Sequence, residues 1–210
     1  MAIGTYSELQ SAVADWLNKQ DLTSAIKNFI ALTETNINRI LRLRQMLARA
    51  DLTWTDEVCP LPADFLELYS LEQTYPPASG TVPPLRYAGI EELKQIKQTQ
   101  PTGVTRWYSI FGNYLDLWPA PTSDGFKMTL IYYAAIPTLS VSEPTNWLLT
   151  KSPDLYLFGA LLQASPYIKN DERIQTWDAA YQRAISALQT ESERAMRPTT
   201  TLVARKRNFG

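Results

Sequence analysis

Apolar residues at helical spacing mark both ends of the chain. Near the start, Thr5 and Glu8 form a capping-box pair ahead of an apolar stripe, which predicts a helix over residues 6–18. A stronger stripe predicts one long amphipathic helix over residues 22–49, with apolar positions at Leu22, Ile26, Phe29, Ile30, Ile37, Ile40, Leu41 and Leu47. Its second half carries four arginines, which are Arg39, Arg42, Arg44 and Arg49.

The middle of the chain changes to the alternating pattern of strands. Gly112 and Asn113 separate two aromatic-rich runs and predict a tight β-hairpin, because glycine and asparagine tolerate left-handed conformations. A polar segment with apolar residues at helical spacing predicts a single helix over residues 90–98. The predicted strands cover residues 52–55, 66–74, 107–110, 114–118 and 126–133.

Helical spacing returns near Ser152, where Pro153 can occupy the first helical position because its missing N–H costs nothing there. Another helix is predicted from about Asp171, with a buried stripe at Ile174, Trp177, Tyr181, Ile185 and Leu188. After Pro198 no periodicity remains. The last residues are predicted to form a tail that is disordered alone and can order against a partner.

This order of elements predicts an α+β fold: a helical bundle from the N- and C-terminal helices, with a central β-rich insertion and an extended C-terminal tail. The predicted boundaries place the N-terminal helices of the helical core in residues 1–50 and the β-rich insertion in residues 51–140. The C-terminal helices of the core take residues 141–196, and the extended basic tail takes residues 197–210.

Composition describes a globular chain that needs no covalent staples. Of its 210 residues, 45% are apolar and 20% are charged, and the single Cys59 cannot form an internal disulfide. The start of the chain lacks the pattern of a signal peptide, and no apolar run approaches the roughly 20 residues of a membrane span. We therefore expect a soluble, cytoplasmic protein with no membrane partner.

The chain contains no histidine, the commonest general acid–base group and metal ligand near neutral pH. We therefore predict no enzyme activity, no catalytic residue, no metal site and no cofactor. Glu91, Glu92 and Lys94 are interpreted as a solvated helix face, and Cys59 as a small buried apolar residue. A lysozyme-like enzyme would need a matched pair of carboxylates, and the sequence indicates none.

The arginines from Arg39 to Arg49 allow more than one interpretation. They can be the solvated end of a helix, where positive charge suits the helix dipole. They can also form a basic face that lines a channel or meets an acidic neighbouring subunit. A further alternative is a DNA-binding virion protein that uses this helix face, although the interleaved aromatics of single-strand binders are missing.

The C-terminal tail is basic in a chain whose net charge is −1. No acidic residue follows Glu193. Apolar residues stand among the tail's charges, which favours docking onto a protein over a purely electrostatic role. The candidate docking residues are Arg197, Leu202, Val203, Arg205, Lys206, Arg207 and Phe209.

Taken in order over about residues 5–195, several fragments resemble the head-to-tail adaptor proteins of short-tailed bacteriophages. No fragment is specific alone, but the ordered combination is. The fragments are Glu34–Arg42, Leu61–Glu67, Tyr108–Asn113, Leu117–Pro121, Ile131–Ala134, Trp147–Leu149, Pro153–Leu161 and Ala164–Tyr167.

The resemblance implies a structural protein of the virion at the head–tail junction, assembled in the host cytoplasm. Such adaptors form a homo-oligomeric ring, commonly of twelve copies, beneath the portal protein. The ring meets the tail nozzle or tube and extends the channel through which double-stranded DNA passes without sequence recognition. By the same analogy, the C-terminal tail would grip the portal.

Overall fold

The fold is α+β, as predicted, and divides into a helical unit and a sheet unit. The computed structural model describes residues 3–19, 21–54, 58–75, 84–100, 102–121, 126–167 and 173–196. The helical unit comprises the described residues within Met1–Gln45 and Thr138–Gly210, and the sheet unit those within Met46–Pro137. In chain order the elements are α1 (Tyr6–Leu17), α2 (Thr23–Ile40), β1 (Leu47–Thr53), β2 (Val58–Pro60), β3 (Phe65–Tyr75), β4 (Arg86–Tyr87), α3 (Ile90–Thr99), β5 (Trp107–Phe111), β6 (Tyr114–Trp118), β7 (Lys127–Ala134), α4 (Trp147–Lys151), α5 (Pro153–Ala164) and α6 (Ile174–Met196).

The first helix begins as its sequence predicts. The backbone N–H of Glu8 donates to Oγ1 of Thr5 at 3.3 Å, and the Glu8 carboxylate accepts from the N–H groups of Gly4 and Thr5. This capping box satisfies donors that have no partner inside the helix. Asn18 ends α1 in the left-handed conformation, with φ of 51°.

The centre of the helical unit is α5, which contacts α1, α2, α4 and α6. Its buried residues are distributed around the helix and are Leu155, Tyr156, Leu157, Gly159, Ala160, Leu161 and Ala164. A helix that is apolar on all sides is typical of an element enclosed by others. Pro153 occupies the first turn of α5 as predicted, while the Ser152 side chain makes no capping hydrogen bond.

Gly159 allows two helices to approach α5 closely. A Cβ atom at this position would collide with Cγ2 of Thr33 on α2 and would lie 3.1 Å from Cε2 of Tyr181 on α6. Thr33 and Tyr181 are both buried. The missing side chain at Gly159 therefore sets the spacing of α2, α5 and α6.

The prediction of one helix over residues 22–49 is wrong beyond Ile40. Leu41 is already extended, with φ of −87° and ψ of 137°, and a short 3-10 turn at Arg44–Met46 precedes β1. Strand β1 pairs with β7 from Leu47 opposite Tyr133 to Thr53 opposite Lys127. The helical spacing of apolar residues continues past Ile40 only by chance. From Leu47 onward, packing of alternate residues against the sheet core favours a strand over a helix.

Two sheets make up the sheet unit. One has the strand order β1–β7–β3 with antiparallel pairing, and the other has the order β2–β6–β5–β4. Strands β5 and β6 form the predicted hairpin, in which Gly112 adopts a φ of 54°. The prediction did not include the short elements β2, β4 and α4, because they are too brief to show a period.

The inner faces of the two sheets share one hydrophobic core. Met128, Leu130 and Tyr132 of β7 meet Leu115 and Leu117 of β6 in this core. Cys59 lies in the same cluster, and burial raises the pKa of its thiol. The residue is therefore a small core side chain, as predicted, and its thiol is less reactive than an exposed one.

We predict that Gly159→Ala lowers the free energy of unfolding by about 1–3 kcal/mol, because the added methyl group overpacks the contact with Thr33. Helix propensity alone would give the opposite sign, since alanine is favoured over glycine by about 1 kcal/mol. Chemical denaturation of the purified chain measures the change.

Two further variants test the cause of this loss. Thr33→Ser removes Cγ2 but keeps the hydroxyl that donates to the Phe29 carbonyl at 2.8 Å, so it should recover part of the loss in the double variant. Gly4→Ala is the matched control, because its Cβ would meet only Glu8 Oε2 at an ordinary 3.6 Å. Additive effects of Gly159→Ala and Thr33→Ser would contradict the assignment of this contact.

Candidate interaction surfaces

The four arginines predicted to share one helix face lie in different structural settings. Arg39 is exposed on α2. Arg42 follows the helix, and its Nη1 donates to the carbonyl oxygens of Asn38 at 2.8 Å and Leu41 at 2.7 Å. Arg42 thus satisfies acceptors at the carboxyl end of α2, where a cation also complements the helix dipole.

Arg44 and Arg49 lie beyond the end of α2. The backbone N–H of Arg44 donates to the hydroxyl of Ser192 on α6 at 2.8 Å, and its side chain is exposed. Arg49 belongs to β1 in the sheet unit, where its Nη2 lies 3.1 Å from Oδ1 of Asp51. The prediction of a single basic helix face from Arg39 to Arg49 is therefore wrong, because the helix ends at Ile40.

A buried carboxyl group anchors the segment that leads back into the helical unit. Glu34 on α2 is 5% exposed, and its Oε1 accepts a 2.8 Å hydrogen bond from the backbone N–H of Leu139. The hydroxyl of Tyr156 on α5 donates to the same oxygen at 3.5 Å. Asn146 donates to the Tyr156 oxygen at 2.7 Å, and its own Oδ1 caps α4 by accepting from the Leu149 N–H.

Burial dominates the ionisation of the Glu34 network. Desolvation raises the pKa of Glu34 to about 7, although its hydrogen bonds from Leu139 and Tyr156 act in the opposite direction. Burial also raises the pKa of Tyr156, and the nearby Glu34 carboxyl adds to that rise. No pattern in the sequence indicates this cluster, because Glu34 stands in a polar run whose burial depends on α5 and on the segment around Leu139.

The predicted docking tail lies outside the described residues. It starts at Arg197, directly after the end of α6 at Met196. The roles of Arg197, Leu202, Val203, Arg205, Lys206, Arg207 and Phe209 stay predictions.

The described residues offer no group of three or more acidic, cysteine or histidine side chains that could hold a metal ion. Glu91 pairs with Lys94 at 2.9 Å on an exposed face of α3. Glu92 accepts from the Gly89 N–H at 3.4 Å, which places it at the start of the same helix. These carboxylates have structural roles in the first turn of α3.

Across the described helices, none has the length and apolar character needed to cross a membrane.

Comparison with known proteins gives one family. The family model described as SU10 adaptor protein matches residues 4–202, which spans the described residues of both units almost completely. No curated protein matches the chain.

Glu34 should make the stability of the chain depend on pH. Its pKa is raised from 4.5 to about 7 on folding, so the folded state binds more protons than the unfolded state between these values. The free energy of unfolding therefore contains a contribution that is fully present below pH 4.5 and is lost as pH rises to about 7. We expect this loss to be about 1–3 kcal/mol after allowance for solvent screening.

Denaturation of the wild type and of Glu34→Gln across pH 4–8 measures the effect. The amide oxygen of the variant can still accept from Leu139, but it does not titrate, so the difference between the two curves should change across this window. Glu8→Gln is the control, because hydrogen bonds from Gly4 and Thr5 lower the pKa of Glu8 and its contribution is lost only toward acid. Parallel curves for wild type and Glu34→Gln would show that Glu34 titrates normally.

Proposed function

The chain belongs to the SU10 adaptor protein family, and from that premise we propose that it forms a ring between the portal and the tail of a bacteriophage. Membership in this family makes it a phage adaptor, a structural component of the virion. The finer proposal is a head-to-tail adaptor of a short-tailed phage, with twelve copies per ring. The ring lies between the portal protein and the tail nozzle or tube, at the head–tail junction.

The family match carries this proposal, because it extends over residues 4–202 of a chain of 210. A match of that length includes both structural units and reaches into the C-terminal tail. An adaptor must contact several partners through different surfaces, so we expect its function to require both units and the tail. The family is structural, so the proposed mechanism is assembly.

Ring formation requires a head-to-tail interface that closes on itself. Large apolar side chains exposed on the helical unit supply candidate contacts for a neighbouring copy, and they include Trp16 on α1 together with Leu32 and Ile40 on α2. Aromatic side chains such as Trp16 are enriched in the buried centre of protein interfaces. In this proposal the helices build the ring and each copy meets the next through them.

The C-terminal tail docks onto the portal in this proposal. Its three large apolar residues, Leu202, Val203 and Phe209, act as anchors, and its basic residues meet acidic groups on the portal. Docking couples ordering of the tail to attachment, which favours assembly on an existing portal over free ring formation. Assembly takes place in the host cytoplasm before the particle is complete.

The ring extends the channel for double-stranded DNA, which passes without sequence recognition. Arg39 and Arg44 have exposed side chains and stay candidates for the channel wall or for an interface between copies. Arg42 and Arg49 are weaker candidates, because Arg42 binds the end of α2 and Arg49 pairs with Asp51. The alternative, a DNA-binding virion protein that uses the Arg39–Arg49 helix face, has less support, because α2 ends at Ile40.

Electron microscopy of the purified chain, alone and mixed with portal rings from the same genome, tests the proposal. We expect separate molecules alone and a symmetric ring on the portal. A chain without residues 197–210 keeps every described element, so it should fold and fail to attach. Normal decoration of portals by this shortened chain would refute the role of the tail.

Two full-length variants separate the contributions of the tail. Replacing Leu202, Val203 and Phe209 by serine should abolish attachment at every salt concentration. Replacing Arg205, Lys206 and Arg207 by alanine should weaken attachment most at low salt, because the lost contribution is electrostatic. If neither wild type nor any variant attaches at any ratio, the adaptor ring itself is the wrong proposal.

A further inference from the structure

A cleft lies between α3 and the hairpin of β5 and β6 in the sheet unit. It has a volume of about 280 Å³. Ile90 and Leu93 of α3 and Phe111 of β5 form its apolar walls. This volume lies just below the roughly 300–1,000 Å³ of common ligand sites and is enough for one large side chain.

Ser109 lines this cleft and is an unusual buried polar residue. It is 1% exposed, and its hydroxyl has no hydrogen-bond partner among the described residues. Serine hydroxyls in this environment normally bond to a backbone carbonyl or a side chain, and an unpaired one weakens the fold. A ligand with a polar group at this point of the cleft would complete the hydrogen bonding of the Ser109 hydroxyl.

The charges beside Ser109 restrict what can enter. Asp116 lies opposite Ser109 in the hairpin register, and its Oδ2 is paired with Nζ of Lys97 at 2.7 Å. Lys94 also lines the cleft and is paired with Glu91. Both lysines and Asp116 already have partners of opposite charge, so the lining offers no uncompensated charge to a charged ligand, and the complementary occupant is neutral.

We propose that this cleft binds a tyrosine or tryptophan side chain of a protein partner. The ring packs between Ile90, Leu93 and Phe111, and the polar tip of the side chain hydrogen-bonds to the Ser109 hydroxyl. Tyrosine, tryptophan and arginine dominate the energetics of protein interfaces, and an arginine would find no unpaired carboxylate in the lining of this cleft. The identity of that partner as another virion protein rests on the proposed function, whereas the site itself does not.

The surface around the cleft fits an interface. Ile90 is 48% exposed and Tyr114 is 47% exposed, and the Tyr114 ring lies 6.0 Å from that of Phe111. These side chains extend the apolar walls outward to form a rim. A buried anchor surrounded by partly exposed apolar contacts is the common arrangement of an interface hot spot.

Nuclear magnetic resonance titration of the full-length, isotope-labelled chain tests the site. The probes are N-acetyl-tyrosinamide, N-acetyl-tryptophanamide and N-acetyl-phenylalaninamide, which differ in the polar tip, with N-acetyl-leucinamide as the non-aromatic control. We expect shifts at the amides of Ser109 and Asp116 with the tyrosine or tryptophan probe. The phenylalanine probe should bind about 2- to 10-fold more weakly, the effect of one hydrogen bond.

Ser109→Ala should have two effects, one on ligand affinity and one on thermal stability. It should remove the difference in affinity between the tyrosine and phenylalanine probes, because the hydroxyl that distinguishes them is gone. It should also raise Tm by about 2–4 °C, because a buried unpaired hydroxyl is replaced by a methyl group. Ser192→Ala is the matched control, since Ser192 is also buried but its hydroxyl accepts from the backbone N–H of Arg44, so Tm should fall and the affinity difference should stay.

Ile90→Glu provides a second test that does not change Ser109. The residue is exposed at the start of α3, where a carboxylate suits the helix dipole, so the variant should fold and bind every aromatic probe more weakly. Equal affinity for tyrosine and phenylalanine probes in the wild type, shifts confined to other parts of the chain, or no binding up to the solubility limit would each overturn the proposal. None of these outcomes depends on portal attachment, so failure here leaves the proposed ring untouched.

Discussion

The helical unit depends on the close contact of α2 and α6 with α5 at Gly159, where a single Cβ would collide with Thr33 and crowd Tyr181. The residues next to this contact complete the unit. Glu34 follows Thr33 and accepts from Leu139, and Asn36 donates to the Tyr181 hydroxyl at 3.3 Å. Because helix spacing places these polar groups within hydrogen-bonding distance, the small size of Gly159 also controls whether the buried network can form.

The two units differ in whether a buried polar group has hydrogen-bond partners. The Glu34 carboxyl is surrounded by donors from two other segments, so its burial is compensated by hydrogen bonds and by its raised pKa. The Ser109 hydroxyl has no such compensation among the described residues. Natural proteins depart from complete polar satisfaction mainly where function requires it, and this difference is what separates a structural network from a candidate binding site.

An adaptor works through several surfaces at once, and the two units suit different partners. In the ring that we propose, the exposed apolar side chains on α1 and α2 of the helical unit would meet neighbouring copies, and the basic tail that follows α6 would meet the portal. The sheet unit carries the cleft beside α3, which fits a single aromatic anchor. A protein that presents separate binding surfaces on rigid cores can recognise each partner specifically through contacts alone.

The sequence by itself determined the helices and strands whose period continues over several turns or residues, including α1, α5, α6 and the β5–β6 hairpin. The sequence alone also showed that the chain lacks histidine, and it carried the family resemblance through its ordered fragments. Only the tertiary structure decided where α2 ends, because Leu41 and Leu47 continue its helical spacing, whereas residues 47–53 pair with β7 as strand β1. Likewise, the burial of Glu34 and the cleft at Ser109 depend on residues far apart in the chain, such as Leu139 for Glu34 and α3 for Ser109. Periodicity is a local property, whereas burial and hydrogen-bond satisfaction are set by which segments meet.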